Sequence, residues 1–130
     1  MSDEMPWPTE LRVPPGRDRV LVRYDDGTVH DLAAEYLRVL TPSAERKGHG
    51  SEVVIGGKRG VRLAAIHPVG RYAVRLAFDD GHSTGIYTFA YLRELGEENA
   101  ARWQGYLDDL AAARLDRDTP GTRGRAPSRG

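Results

Sequence analysis

Apolar and polar residues alternate along the first two thirds of the chain, a pattern typical of short antiparallel strands. In residues 19–24 the apolar side chains of one face are Val20, Val22 and Tyr24, and in residues 72–78 they are Tyr72, Val74, Leu76 and Phe78. Both stretches are followed by Asp-Asp-Gly, at 25–27 and 79–81, where Asp and Gly tolerate the positive φ of a hairpin turn. Residues 29–32, 61–66 and 85–88 are predicted to be the partner strands.

Three other stretches have the apolar spacing of helices. Asp31 is predicted to cap a short helix that runs to Leu40, and Thr88 a second helix over 89–95 that Gly96 ends in a left-handed conformation. A third is predicted to open at 97–98, with one apolar stripe formed by Trp103, Tyr106, Leu107 and Leu110.

These elements predict an α+β fold, with a twisted, mainly antiparallel sheet of hairpins and two or three helices packed on one face. Leu76 and Phe78 should be buried there beside Trp103 and Leu107. At 130 residues the chain suits one domain, which we place at residues 10–113. Residues 1–9 are predicted as an extended arm, and residues 114–130, with five Arg and two Asp, as a disordered basic tail.

Composition narrows the classes of function. The chain has 19 basic and 19 acidic residues and no cysteine. A net charge of zero argues against nucleic acid as a partner, and the missing thiols exclude disulfides and cysteine-bound metals. No apolar run approaches the roughly 20 residues of a membrane span, and the N-terminus lacks signal-peptide features. We therefore expect a cytoplasmic protein without a membrane partner.

Two enzyme motifs fail on their spacing. A phosphate-binding loop that ends at Gly57-Lys58 requires a glycine at Glu52 and a serine or threonine at Arg59; a tight turn at 56–57 explains these glycines better. His82 and Ser83 are adjacent, so their side chains point apart, which is poor geometry for a base and its nucleophile.

The four histidines leave one candidate metal site. Glu45, His49 and His82 lie in polar, glycine-flanked segments and could converge on a zinc or iron ion, because exposed loops are where ligands tend to sit. The alternative is that His49 and His82 bond only to backbone carbonyls of their own turns.

Two surfaces also have alternative interpretations. Six aromatic residues either line a ligand groove or belong to the core: Trp7, Tyr72, Tyr87, Phe89, Tyr91 and Trp103. Residues 38–75 carry eight basic and two acidic side chains, which would suit an acidic partner or be dispersed in solvent.

Two long motifs carry a family resemblance. Residues 37–50 read LRVLTPSAERKGHG and residues 69–89 read VGRYAVRLAFDDGHSTGIYTF. Together with Trp103 and Tyr106-Leu107, they resemble the small bacterial proteins grouped as domain of unknown function 971. That group is similar to the N-terminal domain of gamma-butyrobetaine hydroxylase and of trimethyllysine dioxygenase, and the resemblance covers residues 10–112.

The resemblance implies an α+β fold and does not transfer the hydroxylase reaction, whose 2-oxoglutarate and iron chemistry belongs to a separate domain. The hydroxylase N-terminal domain holds zinc through three cysteines and one histidine, and the resemblance places Thr41, Ser43, Arg46 and His82 at those positions. The zinc site is therefore expected to be absent. A similar domain attached to a P-loop iron–sulfur carrier of plastids implies a link to iron or iron–sulfur metabolism.

The sequence thus favours a non-enzymatic binding or adaptor module with a protein partner, and it leaves the oligomeric state open. The alternative function is metal binding through Glu45, His49 and His82.

Overall fold

The computed structural model describes residues 7–42, 47–48 and 51–124, and of residues 47, 48, 51, 52 and 124 it describes the backbone alone. Over these residues the helices and strands follow in this order: β1 Pro8–Arg12, β2 Arg19–Tyr24, β3 Val29–Ala33, α1 Ala34–Val39, β4 Lys47–Gly48, β5 Ser51–Gly56, β6 Leu63–Val69, β7 Ala73–Phe78, β8 Gly85–Thr88, α2 Phe89–Glu97, α3 Asn99–Ala113 and β9 Gly121–Gly124.

Antiparallel pairing organises the strands into three-stranded sheets, ordered β1-β2-β3, β4-β5-β9 and β6-β7-β8. The predicted α+β fold of antiparallel hairpins with helices is confirmed, although the strands divide among three small sheets. Arg17 links two of the sheets, because its Nε donates to the Leu63 carbonyl at 2.7 Å and its Nη2 to that of Ala64 at 2.8 Å.

The hairpin turns form where the Asp-Asp-Gly sequences predict them. Gly27 and Gly81 have φ values of 91° and 94°, a conformation that residues with a Cβ rarely adopt. The turn before β7 is shorter than predicted, because β6 continues to Val69 and pairs it with Ala73. Tyr72 therefore lies in this turn and is 62% exposed, so its prediction as an inward-facing strand residue was wrong.

Most buried apolar side chains form one cluster between the β1-β2-β3 sheet, the β6-β7-β8 sheet and helices α1 and α2. Leu76 and Phe78 belong to this first core cluster, as predicted, and Trp103 packs against it. Leu107 packs instead against a second core cluster between β5 and α3, which contains Val39, Val54, Tyr106, Leu110 and Ala113.

The helix boundaries confirm one predicted signal and correct two. The Thr88 side chain accepts a hydrogen bond from the Tyr91 backbone N–H at 3.0 Å, which caps α2 as predicted. Asp31 lies in β3, where it pairs with Leu21 of β2, and it does not cap α1 as predicted. The helix begins later, after Ala33. Gly96 lies inside α2, where the His30 ring packs so closely that a Cβ on Gly96 would clash with it.

The structure differs from the predicted disordered tail over residues 114–124. Leu115 packs against the second core cluster, and β9 pairs with β5 over four residue pairs, from Val53↔Gly124 to Gly56↔Gly121. Sequence composition misses this arrangement because the attachment uses backbone pairing and two ion pairs, and very little apolar surface. Residues 125–130 of the predicted tail lie outside the described residues.

Candidate binding surfaces and buried ion pairs

A partly buried ion-pair cluster joins α1, the segment after β5 and the turn after β7. Arg38, 3% exposed, donates from Nε to Asp80 Oδ2 at 2.8 Å. Lys58 Nζ donates to the same oxygen at 2.5 Å, and the His82 backbone N–H donates to Asp80 Oδ1 at 3.0 Å. One carboxylate thus pairs with two cations from distant parts of the chain.

The environment of Asp80 favours its charged form. Burial acts to raise the pKa of this carboxyl, but hydrogen bonds from Lys58, the His82 backbone and Arg38 outweigh burial and hold the pKa below its ordinary value. Asp80 is therefore ionised at neutral pH, and the cluster acts as an electrostatic clamp between three segments.

Of the predicted metal ligands, only His82 can be placed. Its Nε2 lies 3.3 Å from Thr41 Oγ1, while Glu45 and His49 lie outside the described residues. Within the described ranges, no three His, Cys, Asp or Glu side chains group closely enough to hold a metal ion. The site formed by Glu45, His49 and His82 stays a prediction.

The structure brings together Thr41 and His82, two positions at which the resemblance implies zinc ligands. These residues do not fit that zinc. The Thr41 hydroxyl is a neutral, weak ligand, and the adjacent carboxylate of Asp80 is already engaged by Arg38 and Lys58. Ser43 and Arg46 lie outside the described residues.

The six aromatic residues separate into a buried and an exposed group. Tyr87 is fully buried and donates to the Leu37 carbonyl, and Tyr91 donates to the Leu40 carbonyl at 2.6 Å. These two rings and the partly buried Trp103, which packs against both core clusters, are part of the interior, as the core interpretation predicts.

Trp7, Tyr72 and Phe89 form an exposed aromatic cluster. Trp7 is 48% and Tyr72 62% exposed, and their ring centroids lie 5.9 Å apart. Phe89, partly buried against the first core cluster, meets Trp7 edge to face at 5.4 Å. The cluster presents two exposed aromatic rings that rest against the partly buried Phe89 and against each other.

A third feature, which the sequence did not indicate, joins Glu35 of α1 to Arg117 beyond α3. Arg117 Nε donates to Glu35 Oε2 at 2.8 Å and Nη2 to Oε1 at 2.7 Å. The guanidinium also lies over the Trp103 ring, 5.1 Å from its centroid. Glu35 is only 7% exposed, so this two-point ion pair is the means by which a buried carboxylate is neutralised. Its members are 82 positions apart, and no local pattern could have found it.

A depression of about 350 Å³ opens beside this ion pair, and its lining includes Asp18, Asp31, Tyr36 and Asn99. Tyr36 donates to the Leu95 carbonyl at 2.7 Å, and burial raises its pKa to about 12. Tyr106 nearby donates to the Ile55 carbonyl at 2.5 Å, and its pKa is raised by burial and by the Glu35 charge. Both phenols stay neutral and serve as hydrogen-bond donors.

Several residues of the predicted basic surface form ion pairs or hydrogen bonds within the molecule. Arg38 and Lys58 bind Asp80, Arg59 binds Asp118 at 2.6 Å, and Arg75 donates to the Ser83 carbonyl at 3.0 Å. Arg62 and Arg71 are exposed.

No helix in the described part of the chain has the length and apolarity needed to cross a membrane.

The fold and these surfaces define a small α+β domain that is built from antiparallel hairpins and contains two partly buried ion-pair sites. The model of the gamma-butyrobetaine hydroxylase-like N-terminal family matches residues 11–93. The chain belongs to this family.

Solved structures agree with this assignment. Two NMR solution structures are 41% and 39% identical to the chain, with TM-scores of 0.78 and 0.76; the alignments cover 88% and 90% of this chain and 92% and 89% of theirs. A crystal structure from Acidithiobacillus ferrooxidans, of a protein with unknown function in the DUF971 family, is 38% identical with a TM-score of 0.61, covering 72% of this chain and 98% of its own. No curated protein matches the chain.

Proposed function

We propose that this protein is a non-enzymatic binding module that docks a partner protein through the exposed aromatic cluster of Trp7, Tyr72 and Phe89. The observation that carries the proposal is the exposure of Trp7 and Tyr72, at 48% and 62%, in a cluster whose rings contact one another. Aromatic side chains are enriched in protein interfaces and dominate their binding energy.

The cluster is also preorganised for binding. Trp7 contacts both Tyr72 and Phe89, and the Phe89 N–H donates to the Tyr72 carbonyl at 2.7 Å. Because the rings already have a defined arrangement, a partner would lose less side-chain entropy in ordering them. The exposed Arg71 beside Tyr72 favours a partner with an acidic rim.

The resemblance extends this proposal in two respects. It makes a protein of iron or iron–sulfur metabolism the expected partner class, and with the sequence features it supports a cytoplasmic location.

The test compares capture of partners by three full-length baits: wild type, Trp7→Ser/Tyr72→Ser, and Val29→Ser. Val29 is 45% exposed and lies on β3, outside the cluster, so it is a matched control for loss of exposed apolar surface. We expect a protein that wild type and the control retain and that the double variant loses, with all three baits equally folded by circular dichroism. Identical retained proteins for all three baits would contradict the proposal.

A further inference from the structure

We propose that a groove formed by Glu35, Trp103, the edge of β5 and Gly56-Gly57 is a recognition site for an arginine-bearing peptide segment. In the structure, residues 115–124 of the chain itself occupy this arginine groove. A partner segment of the same chemistry would displace them. The proposal concerns a site other than the exposed aromatic cluster and does not depend on it.

The groove recognises an arginine side chain by shape and charge. The Glu35 carboxylate receives two parallel hydrogen bonds from Arg117, at 2.7 and 2.8 Å, which only a guanidinium can supply in this geometry. The Trp103 ring lies against the same guanidinium, which adds a cation–π contact. A lysine would lose both the fork geometry and part of the stacking.

The groove also binds the main chain of its occupant. The Gly57 N–H donates to the Asp116 carbonyl at 2.8 Å, and the Arg59 N–H to the Arg117 carbonyl at 3.0 Å. A Cβ on Gly56 would lie 2.6 Å from the Asp116 oxygen, and one on Gly57 2.5 Å from Pro120 Cα. These glycines therefore make room for a second backbone, which then continues as β9 along β5, the pairing by which sheets add a peptide strand.

The present occupant is held in a way that allows exchange. No residue from 114 to 123 is fully buried, and of these residues only Leu115, Arg117 and Gly121 are partly buried. Segments with little buried apolar surface are those that open at low free-energy cost. Arg114, exposed and in the left-handed conformation with φ 61°, ends α3 and provides the point at which the segment could swing away.

The contacts define the peptide that the groove accepts. It needs an apolar residue for the second core cluster, an arginine two positions later and an acidic residue to meet Arg59, as Leu115, Arg117 and Asp118 provide. Asp116 adds a turn, because its Oδ1 accepts from the N–H groups of Asp118 and Thr119 at 2.9 and 2.7 Å.

The experiment measures binding of a fluorescein-labelled peptide of residues 113–124 to the full-length protein by anisotropy. In wild type the chain's own segment competes with the peptide, whereas Arg117→Ala weakens that competitor. We expect the peptide to bind the Arg117→Ala protein at least about tenfold more tightly than wild type, the scale on which loss of a charge-assisted hydrogen bond acts.

Two controls make the result specific. Arg123→Ala changes an exposed arginine of the same segment and should bind the peptide as weakly as wild type does. A peptide with alanine in place of Arg117 should bind the Arg117→Ala protein at least about tenfold more weakly than the natural peptide.

The proposal is overturned if the folded Arg117→Ala protein shows no saturable binding, or if both peptides bind it equally. If Arg117→Ala does not fold, Arg117→Lys takes its place, since it keeps the charge and loses the fork. The same two outcomes decide the result.

Discussion

The first core cluster and the C-terminal segment 115–124 are attached to the molecule by different interactions. In the first core cluster Leu32, Leu37, Leu76 and Tyr87 are each exposed by 1% or less. They lie between two sheets and the helices α1 and α2. The segment contributes Leu115 to a core cluster. Its other contacts are backbone hydrogen bonds, ion pairs at Glu35 and Arg59, and the Arg117 guanidinium over the Trp103 ring.

This difference distinguishes the interactions that specify the fold, in the first core cluster, from those that a binding partner could replace, in the C-terminal segment. Burial of apolar surface is non-directional and contributes over the whole cluster, so the domain does not depend on a single contact there. The hydrogen bonds that the main chain and the Arg117 guanidinium form in this segment are directional, and another peptide with an arginine could form the same bonds. Of the two regions, the one that buries less apolar surface is therefore better suited to exchange.

The largest expected effect is in the first core cluster. Phe78 is 3% exposed, and Phe78→Ala should lower the free energy of unfolding by about 3–5 kcal/mol, because it removes apolar contacts and leaves a cavity. Chemical denaturation measures this. Ile86→Ala, at a residue that is 46% exposed, is the control and should change stability little; similar losses for the two variants would show that the core is misassigned.

The second largest loss of stability is expected when the carboxylate of Asp80 is removed. Asp80→Ala removes a carboxylate that pairs with the buried guanidinium of Arg38, and the loss of charge-assisted hydrogen bonds in this partly exposed cluster should cost about 2 kcal/mol. Denaturant unfolding is again the measurement. Asp118→Ala, which removes a carboxylate from an exposed pair with Arg59, should leave the midpoint unchanged.

The clamp also predicts an acid dependence. Because the folded-state pKa of Asp80 is lowered, its contribution is complete above the ordinary aspartate pKa of about 3.9 and is lost as pH falls through the lower folded value. Asp80→Asn should therefore lose less stability than wild type over this acid range. Parallel pH profiles for the two proteins would contradict the assignment.

A smaller effect is expected in the C-terminal segment. Arg117→Ala removes both hydrogen bonds to Glu35, but release of the segment lets water reach the carboxylate, so the cost should be only about 1–2 kcal/mol. Thermal unfolding checks this value. A loss as large as that of Phe78→Ala would show that the segment is integral to the fold, which would remove the contrast between the two regions.

The smallest effect is expected from metal removal. Since Thr41 and the occupied Asp80 carboxylate are poor surroundings for a cation, a chelator should leave the melting temperature of untagged protein unchanged. Stoichiometric zinc or iron by elemental analysis, lost in both His49→Ala and His82→Ala, would instead support the predicted site at Glu45, His49 and His82.

Local chemistry made much of the fold predictable from the sequence. The turns at Gly27 and Gly81 and the cap at Thr88 each depend on a few adjacent residues, and strand alternation marked Leu76 and Phe78 as core. The prediction failed at Gly96, where a residue distant in the sequence determines the local structure. A glycine at this position indicated the end of a helix, but Gly96 lies inside α2, and a glycine is required there because the His30 ring packs against it.

The candidate surfaces were less predictable for the same reason. Exposure of Tyr72 depends on where β7 begins, and the aromatic spacing alone allowed either a groove or a core. The arginine groove joins Glu35 to a segment whose polar composition is typical of disorder, and nothing near Arg117 in the sequence indicates the buried carboxylate that it meets.

Native-state amide hydrogen exchange, followed by NMR on the wild-type chain, tests most directly the claim that a firmly packed body carries an exchangeable C-terminal segment. We predict that the amides paired between β5 and β9 exchange at least about a hundredfold faster than those paired between β2 and β3, because the segment opens without global unfolding. Equal protection of the two pairings would contradict the account.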